Sequence, residues 1–451
     1  MRAGSPKDLL VQAQRPAEDA LRLHRLYRGK IQTASKVPIR SLADFGIWYT
    51  PGVAAPCRAI QADRRLVYDH TNKGNTVAIV SDCTRVLGLG DIGPEAGMPV
   101  MEGKALLFKY LGGVDAVPIC LDTKDPDAIV RIVKALQPCF GAINLEDIAQ
   151  PKCFHILDAL RADPEVTIPV WHDDQQGTAT VVLAALLGAL RVVGKRLEEV
   201  RIAMIGMGAA NVATAGILLA AGVAIGHLIA VDSRGILAPG RRDVEARKDE
   251  FAMKWRLCLE SNAGRRRGGV AEALAGADVC LAFSAPVPGT VRPEWVQRMA
   301  PDAIVFACAN PSPEIWPWEA EAAGARVIAT GRSDFPNQVN NSLGFPAVFR
   351  GALDVRARTI TDEMCLAAAE AIAAVAAERG LRADAVVPPM DDVSLYVREA
   401  VAVGLKAQEQ DVARVRRSRT DLAAAAETAI RQAQAMTHAL VTERFVPAVQ
   451  P

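Results

Sequence analysis

Two acidic pairs dominate the chemistry this chain can perform. Glu146 and Asp147 follow the apolar segment Phe140 to Leu145, and Asp173 and Asp174 follow a second one, Val166 to Trp171. Carboxylates at the ends of apolar runs that read as buried strands stand where α/β sheets put their chemistry, at the carboxyl edge. Two such pairs in one cleft repel each other unless a cation or a proton intervenes. An all-oxygen ligand set suits a hard divalent ion such as Mg²⁺ or Mn²⁺. The competing reading is local. Asp is common at helix starts, and Gln-Gln-Gly-Thr-Ala after Asp174 opens a long Ala/Leu/Val helix near Thr178.

Three further side chains lie upstream. Lys104, in Glu102-Gly103-Lys104, leads into an apolar stretch with Lys109 beyond it; there a lysine either has its pKa lowered enough to act as a base or simply snorkels. Arg85 and Asp91 fall on glycine-rich loops, where a guanidinium can grip a carboxylate bidentately or rest on the surface. Tyr49 precedes the turn Thr50-Pro51-Gly52, a place where a phenol usually packs as an amphipathic surface residue.

These groups need strands and helices behind them. Thr76 to Val80 and Ala116 to Leu121 read as short buried strands, Asp127 to Gln137 has helical spacing, and Ala54 onward can start a helix. Leu21 to Arg40 is mixed and basic, and reads as a helical arm followed by a loop.

A second unit begins at a predicted strand, Glu199 to Ile205. The turn Gly206-Met207-Gly208-Ala209-Ala210-Asn211, a helix Val212 to Ala221 and a strand His227 to Val231 ending in Asp232 follow it. That order is the dinucleotide-binding βαβ unit, with an acid ~20 or more positions after the turn to hold the adenine ribose. Gly206 permits the turn and Gly208 lets the backbone approach a pyrophosphate, while Asn211 stands where Gly or Ala normally allows close helix packing. Asp232 favours NAD, yet Ser233 and Arg234 follow it and leave NADP open. Ala277 to Phe283, Ala303 to Ala309 and Arg326 to Thr330 read as further strands. They end in Ser284-Ala285-Pro286, in Asn310-Pro311-Ser312-Pro313 and in a loop holding Asn340-Asn341. Such αβ steps describe a doubly wound sheet. The asparagines either turn amides toward a ligand or make turns for local reasons.

Composition sets the limits. A chain of 451 residues, half of them apolar, predicts two or three domains with large cores. A formal charge of +1 argues against nucleic acid as a partner. Nine cysteines without a C-x-x-C pair fit a reducing cytosol, so a cytoplasmic location is expected. Met1 to Asp19 lacks the apolar core of a signal peptide. Val212 to Val231 mimics a membrane span, but its glycines favour a buried helix running into a buried strand. The tract Arg241 to Gly269 reads as a surface insertion. Arg265 to Arg267 and the group Arg414, Arg416, Arg417 and Arg419 read as solvated faces. The Ala-rich helices Glu363 to Arg379 and Asp421 to Leu440 add little chemistry.

The motifs YTPGVAAPC, SDCTRVLGLGDIGPEAGMPVMEGKALLFK, INLEDI, HDDQQGTA, ANPSPEI and TGRSDFPNQVNNSLGFPAVFRGALDVRA resemble the malic enzymes, specifically the short bacterial form, in register from about Gly29 to Pro389. The resemblance implies an α/β protein: an N-terminal α/β substrate and metal domain (1–171), a Rossmann-like NAD(P)-binding domain (172–395) and a helical C-terminal extension (396–451). It implies oxidative decarboxylation of (S)-malate to pyruvate with NAD or NADP and Mg²⁺ or Mn²⁺. The nearest rival is a malolactic enzyme that keeps its NADH and returns lactate, and a catalytically silent dinucleotide-binding sensor is the rival from another class.

In this resemblance Glu146, Asp147 and Asp174 match the metal ligands and Asp173 the neighbouring active-site aspartate. Lys104 matches the general base, its pKa depressed by burial and the nearby cation, and Tyr49 the general acid. Arg85 matches an arginine that binds a malate carboxylate in larger members, where short ones commonly carry a small residue. Asn310 and Asn341 match contacts to nicotinamide and substrate. Gly206, Met207, Gly208, Ala209, Asp232 and Ser284 belong to the cofactor site. Asn211, Gln176 and Cys83 depart from the usual pattern. A homodimer or a multiple of dimers is expected, with malate as the partner and neither membrane nor nucleic acid.

Overall fold

The structure, a computed structural model, describes residues 6–447, with side chains from Pro16 onward. The segment Met1 to Asp19 therefore lies partly outside the described residues. Two parallel sheets carry the molecule. The first joins β1 (Thr76–Ser81), β2 (Asp115–Cys120), β3 (Ala142–Leu145) and β4 (Val170–His172) in the order β2-β1-β3-β4. Val77 to Val80 and Ala142 to Leu145 are buried throughout, so these strands read as unbroken apolar runs rather than as alternation.

The second sheet is formed by β5 (Ile202–Ile205), β6 (Leu228–Asp232), β7 (Gly235–Ile236), β8 (Val279–Ala282), β9 (Ile304–Ala307) and β10 (Val327–Thr330), in the order β10-β9-β8-β5-β6-β7. All neighbours are parallel except β6 and β7. This is the doubly wound order, with a two-residue return strand where a full parallel strand usually stands. The strand order reverses between β5 and β8, which opens a crevice at their carboxyl ends. Gly235-Ile236 is too short to leave a periodic signal and was not expected.

One buried cluster runs from Val77 and Ile79 through the helix Thr178–Val193 to Ile202 and Met204, joining the two sheets. Among the described residues, the one helical stretch long and apolar enough to cross a membrane is Asp173–Val193, and most of it is buried. The segment Val212 to Val231, which mimics a span, is the end of helix Ala209–Ala220 followed by β6.

The helices near the carboxyl end return to the first sheet. Phe345–Asp354 and Arg419–Thr442 both pack on helix Pro94–Gly112, which carries Lys104. Contact is close enough that a Cβ on Gly112 would stand 2.7 Å from the Pro346 carbonyl oxygen. The expected boundary between 395 and 396 falls inside helix Val393–Glu409, started by the Asp392 carboxylate accepting from Ser394 N at 3.0 Å. At the other boundary, β4 of the first sheet ends at His172. Two of the surface expectations also change. In Arg241 to Gly269, helix Ala252–Glu260 buries Leu257 and Cys258 in the core. Arg414 is docked rather than solvated, its guanidinium donating to the carbonyls of Thr167, Arg356 and Ala357.

Candidate active site

The first sheet delivers acids to one edge. Leu145 ends β3 and Glu146 and Asp147 turn into the cleft, Asp147 with φ 53°, a left-handed conformation that short polar side chains tolerate. His172 ends β4, and Asp173 and Asp174 then lie in a π-helical turn, Asp173–Gly177, that runs into helix Thr178–Val193. Such widened turns are frequent at functional sites. Neither aspartate caps the helix: Asp174 Oδ2 accepts instead from the backbone N of Asp147 at 2.7 Å, tying the two acidic loops together.

Glu146, Asp147 and Asp174 offer ligand oxygens that all lie within 4.8 Å of one another. Asp147 Oδ2 is buried without a hydrogen-bond partner, and Asn144 Nδ2 donates to Glu146 Oε2 at 2.8 Å, fixing that carboxylate. Burial and the mutual repulsion of the acids push Glu146 and Asp147 well above the usual carboxylate range. An orphaned buried oxygen, an all-oxygen set and four acids met by a single lysine fit a hard divalent cation. The local reading, one pair capping a helix and the other solvated, does not hold.

Lys104 reaches this cluster from helix Pro94–Gly112. Its ammonium donates to Asp173 Oδ2, lies 3.1 Å from Glu146 Oε1, and sits 4.3 Å from the centre of the Phe345 ring. Burial lowers its pKa, but Asp173, Glu146 and Asp174 outweigh burial and hold it raised. Of the two causes expected to depress it, burial and a nearby cation, burial acts in the expected direction and is outweighed by the carboxylates that would gather the cation. Asp173, fully buried, is pushed up to about 6 by burial, with Lys104 pulling it back. His172 is lowered, above all by burial, and stays neutral.

A cavity of about 1010 Å³ joins this cluster to the second sheet. Lys104, Glu146, Asp147 and Asp174 line it on one side; Gly208, Ala209, Ser284, Asn310 and Asn341 line it on the other. Arg85 stands exposed on its wall, and its guanidinium makes no ion pair among the described residues. Tyr49 lies elsewhere: it is 70 % exposed and is not part of the lining.

The dinucleotide turn is built as its glycines require. Gly206 has φ 87°, and a Cβ there would stand 2.6 Å from the Phe283 carbonyl oxygen. Met207 is buried beneath the turn, and Gly208 faces open space at the start of helix Ala209–Ala220. Asn211 is fully buried, its amide donating to the carbonyls of Ile205, Gly206 and Leu281 at 3.2, 2.9 and 3.2 Å. It replaces close helix packing with a tie between the turn and β8. The other departures are equally local. Gln176 Oε1 accepts from the backbone N of His172 at 3.1 Å, and Cys83 adopts φ 53°, where glycine is unstrained.

Three contributors were missed. Glu314 is buried, and accepts from Ser284 N at 2.7 Å, Ser284 Oγ at 3.0 Å and Ala309 N at 3.1 Å, so one carboxylate holds two cavity loops. Arg241, placed in the insertion, donates to Asp232 Oδ2 at 2.8 Å and is itself clamped by Asp243 at 2.8 Å. Phe345 forms the floor under Lys104. The ANPSPEI motif held a signal for Glu314; Arg241 meets Asp232 across the return from β6 to β7, and Phe345 meets Lys104 from a distant segment.

Comparison with known proteins matches residues 28–161 to the malic enzyme N-terminal domain and 175–408 to the malic enzyme NAD binding domain. A bifunctional malic/malolactic enzyme from Bacillus subtilis is 48% identical over 402 residues, 88% of this chain and 94% of the relative. An NAD-dependent malic enzyme from Geobacillus stearothermophilus is 51% identical over 386 residues, 86% of this chain and 78% of the relative. Among solved structures, Entamoeba histolytica malic enzyme superposes with a TM-score of 0.96 at 44% identity, over 100% of this chain and 93% of that one.

Proposed function

The chain belongs to the malic enzyme family and catalyses the oxidative decarboxylation of malate to pyruvate with NAD(P); from that premise we propose that Glu146, Asp147 and Asp174 hold a divalent ion, Lys104 is the base and Tyr49 the acid. The supporting observation is the meeting of three ligand carboxylates with a buried lysine in a cavity that also reaches the dinucleotide turn. When bound, the ion supplies a Lewis acid that draws electron density from the C2 oxygen as the C4 carboxylate leaves. NAD(P) supplies the hydride acceptor.

The side chains do the rest. Arg85 fixes a substrate carboxylate at the cavity wall. Lys104 must be neutral to take the C2 hydroxyl proton. Once Glu146 and Asp174 are engaged as ligands, two of the three carboxylates that keep it charged are withdrawn, and burial is opposed by Asp173 alone. Asp173 then steadies the ammonium formed. Asn310 and Asn341 orient substrate and nicotinamide from the far wall. Tyr49 gives a proton to C3 of enolpyruvate.

Arg241 supports a preference for NAD. With Asp232 and Asp243 both on its guanidinium, it is neutralised and held, and Asp232 keeps a carboxylate where a 2′-phosphate would fall. A malolactic outcome is the second reading, favoured by the Bacillus subtilis relative, whose name carries both activities. The test is a malate assay with NAD and NADP in parallel, with and without Mn²⁺. Pyruvate with net reduced cofactor, dependent on Mn²⁺, supports the reading. Lactate without net reduction selects the malolactic outcome, and activity indifferent to Mn²⁺ sinks the metal site. A cytoplasmic location is part of the same reading, supported by nine cysteines of which none is paired.

A further inference from the structure

Two cysteines meet behind the loop that carries Arg85, and neither takes part in the malate reaction. Ser81 and Cys120 are partners in the parallel register of β1 and β2, so their side chains leave the sheet on the same face. Helix Pro94–Gly112 covers that face, and Cys120 packs half-buried against the core beneath it. The chain turns at Cys83, with φ 53°, and brings its side chain back over Ser81: Cys83 N donates to Ser81 Oγ at 2.9 Å, and Cys83 Sγ lies 3.4 Å from the same oxygen. There the Cys83 sulfur meets the Cys120 thiol, whose hydrogen bond holds Cys83 below the usual thiol range. The helix leaves the space for it, since a Cβ on Gly97 would stand 2.2 Å from Cys83 Sγ.

The pair stands at the root of a cavity loop. Ile92 N donates to Cys83 O at 3.3 Å and Val86 N to Gly90 O at 3.0 Å, so residues 83–92 close on themselves. Arg85 N donates to the Asp147 carbonyl at 3.0 Å, which ties the loop to the acidic edge. Arg85, Leu87, Gly88, Gly90 and Asp91 from this loop line the cavity. Cys83 takes a conformation that suits glycine, and what it adds over glycine is one sulfur placed against another. Cys120 ends β2, an edge strand, and being half-buried it gives solvent a way to the pair.

We infer that Cys83 and Cys120 form a reversible dithiol–disulfide site, oxidised by a peroxide, whose closure draws the root of the 83–92 loop toward β2 and withdraws Arg85 from malate. One sulfur attacks the peroxide, breaks its O–O bond, becomes a sulfenic acid and releases water; the other attacks that sulfur, breaks the S–O bond and releases a second water. Two thiols are oxidised by two electrons and the peroxide is reduced to water. A thiol reductant reopens the bond by exchange, so in a reducing compartment the pair closes only transiently. Bonded sulfurs stand ~2.0 Å apart, well inside a thiol hydrogen bond, so the loop root must move. A shift of ~1 Å at a group that holds substrate costs up to ~10²-fold. The loss of malate affinity rests on the role given to Arg85; the bond itself does not.

Peroxide treatment of the full-length enzyme tests it, followed by digestion without reduction and mass mapping. The expected product is a disulfide joining the Cys83 and Cys120 peptides. KM for malate should rise about tenfold, with KM for the cofactor and Mn²⁺ affinity unchanged, and dithiothreitol should restore it. Cys83→Gly, the residue that backbone favours, and Cys120→Ala are each expected to keep the KM of the reduced enzyme and to lose the response, so either variant suffices if the other fails to fold. Two thiols that stay unlinked in the map, or a KM that still rises with peroxide in these variants, overturn the site. A linked pair with KM for malate unmoved overturns the switch. Arg85→Gln with a wild-type KM removes the reading of Arg85 and the link to it, a failure told apart from the others by the disulfide still present in the map.

Discussion

At the carboxyl edge of the first sheet, Glu146, Asp147, Asp173 and Asp174 crowd against one lysine, whereas the corresponding edge of the second sheet presents Gly208, Ala209, Ser284 and Asn310. Both edges are positioned by the same device, short buried parallel strands that stop at a loop. What differs is what burial does to each. At the first, burial raises the acids and leaves them short of partners, so the site stores an unmet demand for positive charge. At the second, small residues leave room at the start of helix Ala209–Ala220, and its one buried acid, Glu314, is used in holding loops. One edge acts through charge and the other through shape.

If that contrast is right, Lys104→Ala is the most damaging change. A loss of kcat for malate oxidation of about 10²–10⁴-fold is expected, with dinucleotide binding measured by fluorescence titration unchanged; a loss below tenfold would take the lysine out of the chemistry. On the shape side, Gly206→Ala forces a Cβ toward the Phe283 carbonyl oxygen at φ 87°. It should cost about 1–3 kcal/mol of stability and raise KM for the cofactor while sparing Mn²⁺ affinity. Denaturant titration and metal titration together check this, and equal damage to both ligands would blur the division of labour.

Asp232→Ser probes the ion pair beside the second edge. It removes one of the two carboxylates on Arg241, with Asp243 still holding the guanidinium in place, takes a negative charge from where a 2′-phosphate would fall, and should move the ratio of kcat/KM for NAD over NADP toward NADP by roughly tenfold. An unchanged ratio would separate Arg241 from cofactor choice. The smallest effect is thermal. Glu146 and Asp147 have folded-state pKa values raised above their unfolded ones, so their contribution to stability is present at low pH and is lost as pH rises above the usual carboxylate range near ~4. A divalent ion needs them ionised. The gain in Tm from Mn²⁺ should therefore grow between about pH 5 and about pH 8, by on the order of a few °C; a gain that shrinks with rising pH would place the ion elsewhere.

Much of the fold was legible because its strands are buried on both faces. Continuous runs such as Val77 to Val80 and Ile202 to Ile205 leave a plain signal, and the acids that follow them lie where expected. The ligand trio was legible for the same reason. Other contacts were not: Phe345 under Lys104 and the raised pKa of the lysine follow from packing between distant segments, and Arg241 on Asp232 depends on a two-residue return strand that leaves no periodic signal. Tyr49 was legible as a residue type and not as a place. The start of helix Val393–Glu409, within three residues of the expected helical extension from 396, is marked only by the single Asp392 cap after paired prolines.

Helix Arg419–Thr442, expected to add little, backs the helix that carries Lys104, with Gln434 Nε2 donating to the Tyr110 carbonyl at 3.2 Å. In the order of biosynthesis this inverts the usual sequence of events. The lysine leaves the ribosome in the first quarter of the chain, yet its supporting wall emerges among the last residues, so a nascent polypeptide can complete both sheets and still have a loosely seated base. Firm seating of the base thus waits on the docking of a helix made more than three hundred residues after it.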